Sequence, residues 1–242
     1  GKQFLKEGNF QAALEFHEKA HRAEPSNAEY ESQYLIVRQV VRIRAMVEKE
    51  KDLRKWLRMA FSLRAFYYFH EIYSEALALD LKIHEKQRNA DSATMLAETR
   101  LTLGHNDEVV QLVHGFPEPS PQLRLFLAIA LARLGRSEEA VEQTKKTPAP
   151  IDCEGLFYAA CLDALLGKSQ EALEKLARSF EATPPVLLSY AKNKARNCKD
   201  FSGLVSHANF EKTMKVESKI PESQCSEGSS CSTCPHRNSC KK

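Results

Sequence analysis

The sequence predicts an all-helical protein made of stacked helical hairpins, and three observations carry that prediction. The phrase Gly-x-x-x-x-Ala recurs at Gly8 to Ala13, Gly135 to Ala140 and Gly167 to Ala172, and once with valine at Gly104 to Val109. The last three of these glycines stand 31 and 32 residues apart, a period of helical hairpins that bury their apolar faces only against neighbouring copies. The 242-residue chain holds only 9 Gly and 10 Pro among many Ala, Leu, Glu and Lys, a composition that favours helix.

The elements follow in order. Residues 1–7 read as the end of a helix broken at Gly8-Asn9. Phe10, Ala13, Leu14, Ala20 and Ala23 then form an apolar stripe at three-to-four spacing. Small Ala13 and Ala20 allow close helix approach, and Pro25-Ser26-Asn27 ends this helix and caps the next. The stretch 28–56 lacks Gly and Pro and carries a broad apolar band from Tyr34 to Val47. It predicts a long helix from about 28 to 49, a turn near Lys51-Asp52 and a shortened second helix.

Further hairpins are expected over 57–89, 90–120, 121–152 and 153–184. In the first of these, Tyr73-Ser-Glu-Ala76 opens the second helix, and Glu71 stands where a turn glycine is expected. Ser137 and Ser169 lie two residues past their glycines, with Glu close behind, which suits helix N-termini. Pro184-Pro185 precedes a helix over 186–197. From about Val216 the composition turns to Ser, Glu, Lys, Gly and Cys, which builds no core. The expected division is therefore a helical array over 1–214 and a Cys-rich tail over 215–242.

Gly1, Phe4, Ala13, Ala20 and Pro25 match the small, aromatic, small, small and closing-proline places of the tetratricopeptide repeat, a helix–turn–helix unit of about 34 residues. The chain resembles that family over roughly 1–214. The resemblance implies a right-handed superhelix of about five to six repeats. It also implies that the ending around Asp200-Phe201 and Phe210 is a cap of the kind that closes bacterial arrays. The function it implies is binding of a partner's peptide or helix in a concave groove, not catalysis. Aligned on the repeat, Arg58, Phe61, Ala65 and Tyr68 take first-helix positions that face such a groove. The carboxylate clamp of chaperone-tail binders has no counterpart here, because Lys2 takes the asparagine place and Glu98 an inner position.

Charge points to the same region. The formal net charge of +3 is too mild to indicate a partner class. Yet residues 38–64 hold nine basic side chains against Glu48, Glu50 and Asp52. Arg54 and Arg58 are four apart, on one helix face. Arg54, Arg58, Arg64, Phe61 and Tyr68 are therefore the candidate partner-binding residues, suited to an acidic peptide or to phosphates. The alternative is a solvated face with internal pairs to the three acids. Nucleic acid is disfavoured, since no base-stacking or groove-reading module is present. Trp56, Phe61, Phe66, Tyr67, Tyr68, Phe69 and Tyr73 cluster within eighteen residues, and most are expected to be core.

Cys225, Cys231, Cys234 and Cys240 fall close together in the tail, with Pro235 and His236 between the last two. Four soft ligands with two spaced by two residues suit zinc or an iron–sulfur cluster, with His236 as a substitute ligand. Disulfides or free thiols in a disordered tail are the alternatives. A metal-binding or redox accessory role through this tail is accordingly the alternative function. Cys153, Cys161 and Cys198 are scattered in helical sequence. The odd total of seven fits full disulfide pairing poorly and favours a reducing, cytoplasmic setting. No phosphate loop, nucleophile elbow or His-Glu-x-x-His motif is present, so no enzyme is predicted. No apolar run reaches membrane-span length. The chain opens inside a repeat, so an upstream segment is expected.

Overall fold

The computed structural model describes residues 1–206 and 208–221, apart from the side chain of Lys2. Among these residues the chain is all-helical, and it divides into two compact units, Gly1–Leu103 and a second that begins at Gly104.

The first unit contains α1 (Lys2–Lys6), α2 (Phe10–Ala23), α3 (Ala28–Lys49), α4 (Leu53–Phe69), α5 (Tyr73–Gln87) and α6 (Ala90–Leu103). Each helix packs on the next. Side-chain caps start several of them. Asn9 accepts from the Ala12 N–H, Asn27 from Glu29 and Tyr30, and Asp52 from Lys55. The core runs from Leu5 and Phe10 through Val37, Trp56 and Tyr67 to Ile83. No short second helix follows α3. Instead the 22-residue α3 passes through one turn into α4. Only residues 50–52 separate the two helices, with the Glu50 carboxylate accepting from the Asp52 N–H at 2.9 Å and Asp52 capping α4.

The second unit contains α7 (Asn106–His114), α8 (Pro121–Arg133), α9 (Ser137–Lys145), α10 (Cys153–Leu165), α11 (Ser169–Glu181) and α12 (Pro185–Asn197). A 3-10 turn η1 (Lys199–Phe201) and α13 (Ala208–Thr213) complete it. Helix α8 packs on α7, α9 and α10, and α10 packs on α8, α11 and η1. That enclosure explains why Leu125 to Leu131 are all buried, with no polar stripe. Phe201 and Phe210 are fully buried at the end of the unit, with Phe201 edge-on to Phe157 at 5.7 Å.

The repeated glycines close the helices in one way. The Asn9 N–H bonds the Phe4 carbonyl at 2.8 Å, Arg136 bonds Leu131 at 2.9 Å and Lys168 bonds Asp163 at 2.8 Å. This six-to-one closure needs a left-handed residue, supplied by Gly8, Gly135 and Gly167 at φ 72, 77 and 74°. Ile72 makes the same bond to Tyr67 at 2.8 Å, but there Glu71 takes φ 58°. Ala140 and Ala172, five residues after Gly135 and Gly167, are completely buried.

Candidate functional site

Helix α4 has two faces. Trp56, Ala60, Leu63 and Tyr67 lie along its buried side. On the opposite side, within an arc of about 100° at the helical period, lie Arg54, Arg58, Phe61 and Phe69. All four are exposed, Phe61 to 36% and Phe69 to 41%. Among the described residues no ion pair holds Arg54 or Arg58. Two of the three acids that sequence reasoning offered as their internal partners are used otherwise, since Glu50 and Asp52 bond backbone N–H groups.

The position of these cations matters. Arg54 and Lys55 occupy the first turn of α4, where the helix dipole is positive and a cation costs about 0.3–1 kcal/mol. Helix stability therefore does not account for them. Together with Arg58 they make the N-terminal half of α4 a positive surface beside an exposed aromatic ring.

Arg64 and Tyr68 sit on the flank between the two faces and are engaged internally. The Arg64 guanidinium donates to Asp80 and Glu98, each at 2.8 Å, and to the Met95 carbonyl at 3.3 Å. It also lies 4.3 Å from the centre of the Tyr68 ring. The Tyr68 hydroxyl meets Thr99 Oγ1 at 2.5 Å, and Thr99 donates to the second oxygen of Asp80 at 2.5 Å. Burial pushes the Asp80 carboxyl above the ordinary carboxylate range, with Arg64 and Thr99 pulling the other way. Burial likewise lifts the Tyr68 phenol well above its usual range. Arg44, another member of the basic stretch, bonds Tyr67 and donates to Glu75 at 2.6 Å, with its guanidinium 4.2 Å over Phe10. The five candidate residues thus separate into an outward group, Arg54, Arg58 and Phe61, and an inward pair, Arg64 and Tyr68, that braces α4 against α5 and α6.

The second unit holds a cavity of about 560 Å³ that sequence reasoning missed. Leu125 and Ala128 of α8, Ala159 and Leu162 of α10 and Leu166 just after α10 give it apolar walls, and the 147–152 connection lines one side. Lys175 and Asp163 pair at its edge. No motif announces such a space, because its walls come from helices far apart in sequence.

A further group, also missed, is formed by Cys161, Cys198 and Asp200, whose ligand-type atoms lie within 4.8 Å of one another. Arg133 forks both oxygens of Asp200 at 2.9 and 2.8 Å. Cys225, Cys231, Cys234, Cys240 and His236 lie outside the described residues. Among the described residues no helix is long and apolar enough to cross a membrane. No family model, curated protein or solved structure matches the chain.

Proposed function

We propose that this chain is a partner-binding module of the tetratricopeptide-like helical-repeat kind, and that α4 docks an acidic amphipathic segment of another protein. The observation that carries the reading is the outward stripe of α4. Two exposed arginines with no ion-pair partner among the described residues run in helical register with the exposed Phe61 ring. Acidic side chains of the partner meet Arg54 and Arg58, and an apolar side chain covers Phe61. The positive end of the α4 dipole adds attraction for anions. Arg64 and Tyr68 serve the same site indirectly, by fixing the rotation of α4. On this reading the protein binds and does not catalyse, and its odd number of cysteines favours a reducing, cytoplasmic setting.

The cavity of the second unit supports a second reading, in which an apolar side chain of the partner inserts between α8 and α10. Its size and the apolar side chains that α8 and α10 present to it favour that choice.

Selection from a random displayed-peptide library tests both. Peptides rich in Asp and Glu around an aromatic or aliphatic residue are expected. Their affinity should fall at least about tenfold in Arg58→Glu and in Phe61→Ala, equivalent to about 1.4 kcal/mol or more. Loss of binding in Ala128→Trp, with both α4 variants unaffected, would move the site to the cavity. Selection without acidic enrichment would remove the α4 reading.

A further inference from the structure

Cys161 and Cys198 are 37 residues apart in sequence, yet their sulfur atoms lie 3.8 Å from each other. Cys161 is buried in the middle of α10. Cys198 stands at the junction of α12 and η1 and is partly exposed. An S–S bond is about 2.05 Å long, so side-chain rotation and slight movement of the three-residue η1 bring the sulfurs together. We propose that Cys161 and Cys198 are a redox modification site that exchanges with low-molecular-weight disulfides and closes reversibly into an intramolecular bond between α10 and the α12–η1 junction.

The surroundings assign the two thiols different roles. A thiolate at Cys198 accepts from the Cys161 S–H, which lowers its pKa most. Burial opposes this, as does the Asp200 carboxylate, while the Asp200 backbone N–H and the Arg133 charge help. Cys161 is fully enclosed, and burial followed by its bond to Cys198 pushes its thiol well above the ordinary range, with the Lys194 ammonium opposing weakly. Cys198 is therefore the attacking sulfur and Cys161 the resolving one.

The exchange balances with a disulfide RSSR as oxidant. The Cys198 thiolate bonds one sulfur of RSSR, and the first RS⁻ leaves with the electron pair of the broken bond. Cys161 then loses its proton to solvent and attacks the Cys198 sulfur, expelling the second RS⁻. Two thiols are oxidised to one disulfide, one RSSR is reduced to two RSH, and the two released protons end on the two RS⁻. The same three residues do not suit a cation as well. Both oxygens of Asp200 are held by Arg133, whose positive charge faces the space an ion would take.

The full chain, equilibrated in graded mixtures of glutathione and glutathione disulfide, tests the proposal. Acid quenching, alkylation, tryptic digestion and tandem mass spectrometry then locate each thiol and separate this pair from Cys153 and the tail cysteines. A linked Cys161–Cys198 peptide is expected to grow with the disulfide fraction, with matching loss of both alkylated peptides, and to vanish on reduction. Cys161→Ser should retain a glutathione adduct on Cys198, whereas Cys198→Ser should leave Cys161 unmodified. The proposal is overturned if the unaltered chain gives no linked peptide at any ratio. An adduct on Cys161 in Cys198→Ser would overturn the assigned roles. Zinc chloride that protects both thiols at one equivalent, with protection lost in Asp200→Asn, would show a metal site instead.

Discussion

Replacing Arg64 by Ala removes the cation at the centre of the first unit's buried polar group. Asp80 is fully enclosed, and the side chains of Arg64 and Glu98 are 15 and 12% exposed. Two charge-assisted bonds at 2.8 Å are lost together, each worth about 1.5–3 kcal/mol. Breaking a buried pair from one side costs about 3–5 kcal/mol, because the remaining charge is left uncompensated. The Arg64→Ala chain is thus expected to lose about 3–5 kcal/mol at neutral pH, a large share of an ordinary domain's stability. The loss has a definite pH dependence. The folded-state pKa of Asp80 is raised by burial, so the native state holds a proton that the unfolded chain releases. Stability from this group therefore falls as pH rises from the ordinary carboxylate range through the raised value. Without Arg64 the carboxyl is raised further and the cost of ionising it grows. The deficit relative to the unaltered chain should be greatest at neutral pH and shrink as pH falls below that raised value. Urea titrations followed by circular dichroism at neutral and mildly acidic pH measure it. Arg64→Lys, which keeps the charge but loses the fork, should fall between the two and remain measurable if the alanine variant does not fold. A deficit below about 1 kcal/mol, the range of an exposed pair, or one independent of pH, would show that Arg64 does not compensate a buried Asp80 charge.

Three other outcomes follow from packing. Ala172→Leu should cost about 1–3 kcal/mol by overpacking a position with no exposed surface, read as a lowered thermal midpoint. Phe201→Ala should cost about 3–5 kcal/mol, because the ring is fully buried between Phe157 and Phe210; an unchanged melt would show that η1 does not close the unit. Glu71→Gly should raise stability by up to about 1 kcal/mol. The left-handed penalty of about 1–2 kcal/mol is relieved, while the gain is reduced by glycine's entropy and by loss of an exposed pair with Lys6. Glu71→Val should destabilise at the same position, and equal denaturation midpoints for the two would contradict the turn assignment.

The helices were legible because their signals are local. A left-handed closure demands glycine, so Gly8, Gly135 and Gly167 mark turns in the sequence itself, and Asn27 announces a helix start as a cap. The turn at Glu71 was placed by spacing although its residue type argues against it. The candidate site was legible only on one side of α4. Arg54, Arg58 and Phe61 point outward at the helical period. Arg64 reads identically in sequence, but its partners Asp80 and Glu98 are 16 and 34 residues away. Charge and spacing do not reveal which arginine a distant buried carboxylate claims. The same reason hid Cys161 and Cys198, and also the cavity between α8 and α10. Each is made by packing between segments with no shared motif. The continuous apolar runs of α8 and α10 carry no facing information, because both helices are enclosed on several sides.

In the function proposed above, the outward face of α4 binds an acidic amphipathic segment. The most direct measurement is the dissociation constant of a selected acidic peptide for the full chain, by fluorescence anisotropy at low and at moderate salt, beside Arg58→Glu and Phe61→Ala. Added salt and Arg58→Glu are each expected to weaken binding, since screening and charge reversal act on one contact. Phe61→Ala is expected to weaken binding about equally at both salts. Undiminished affinity in both variants, with no salt dependence, would contradict that function.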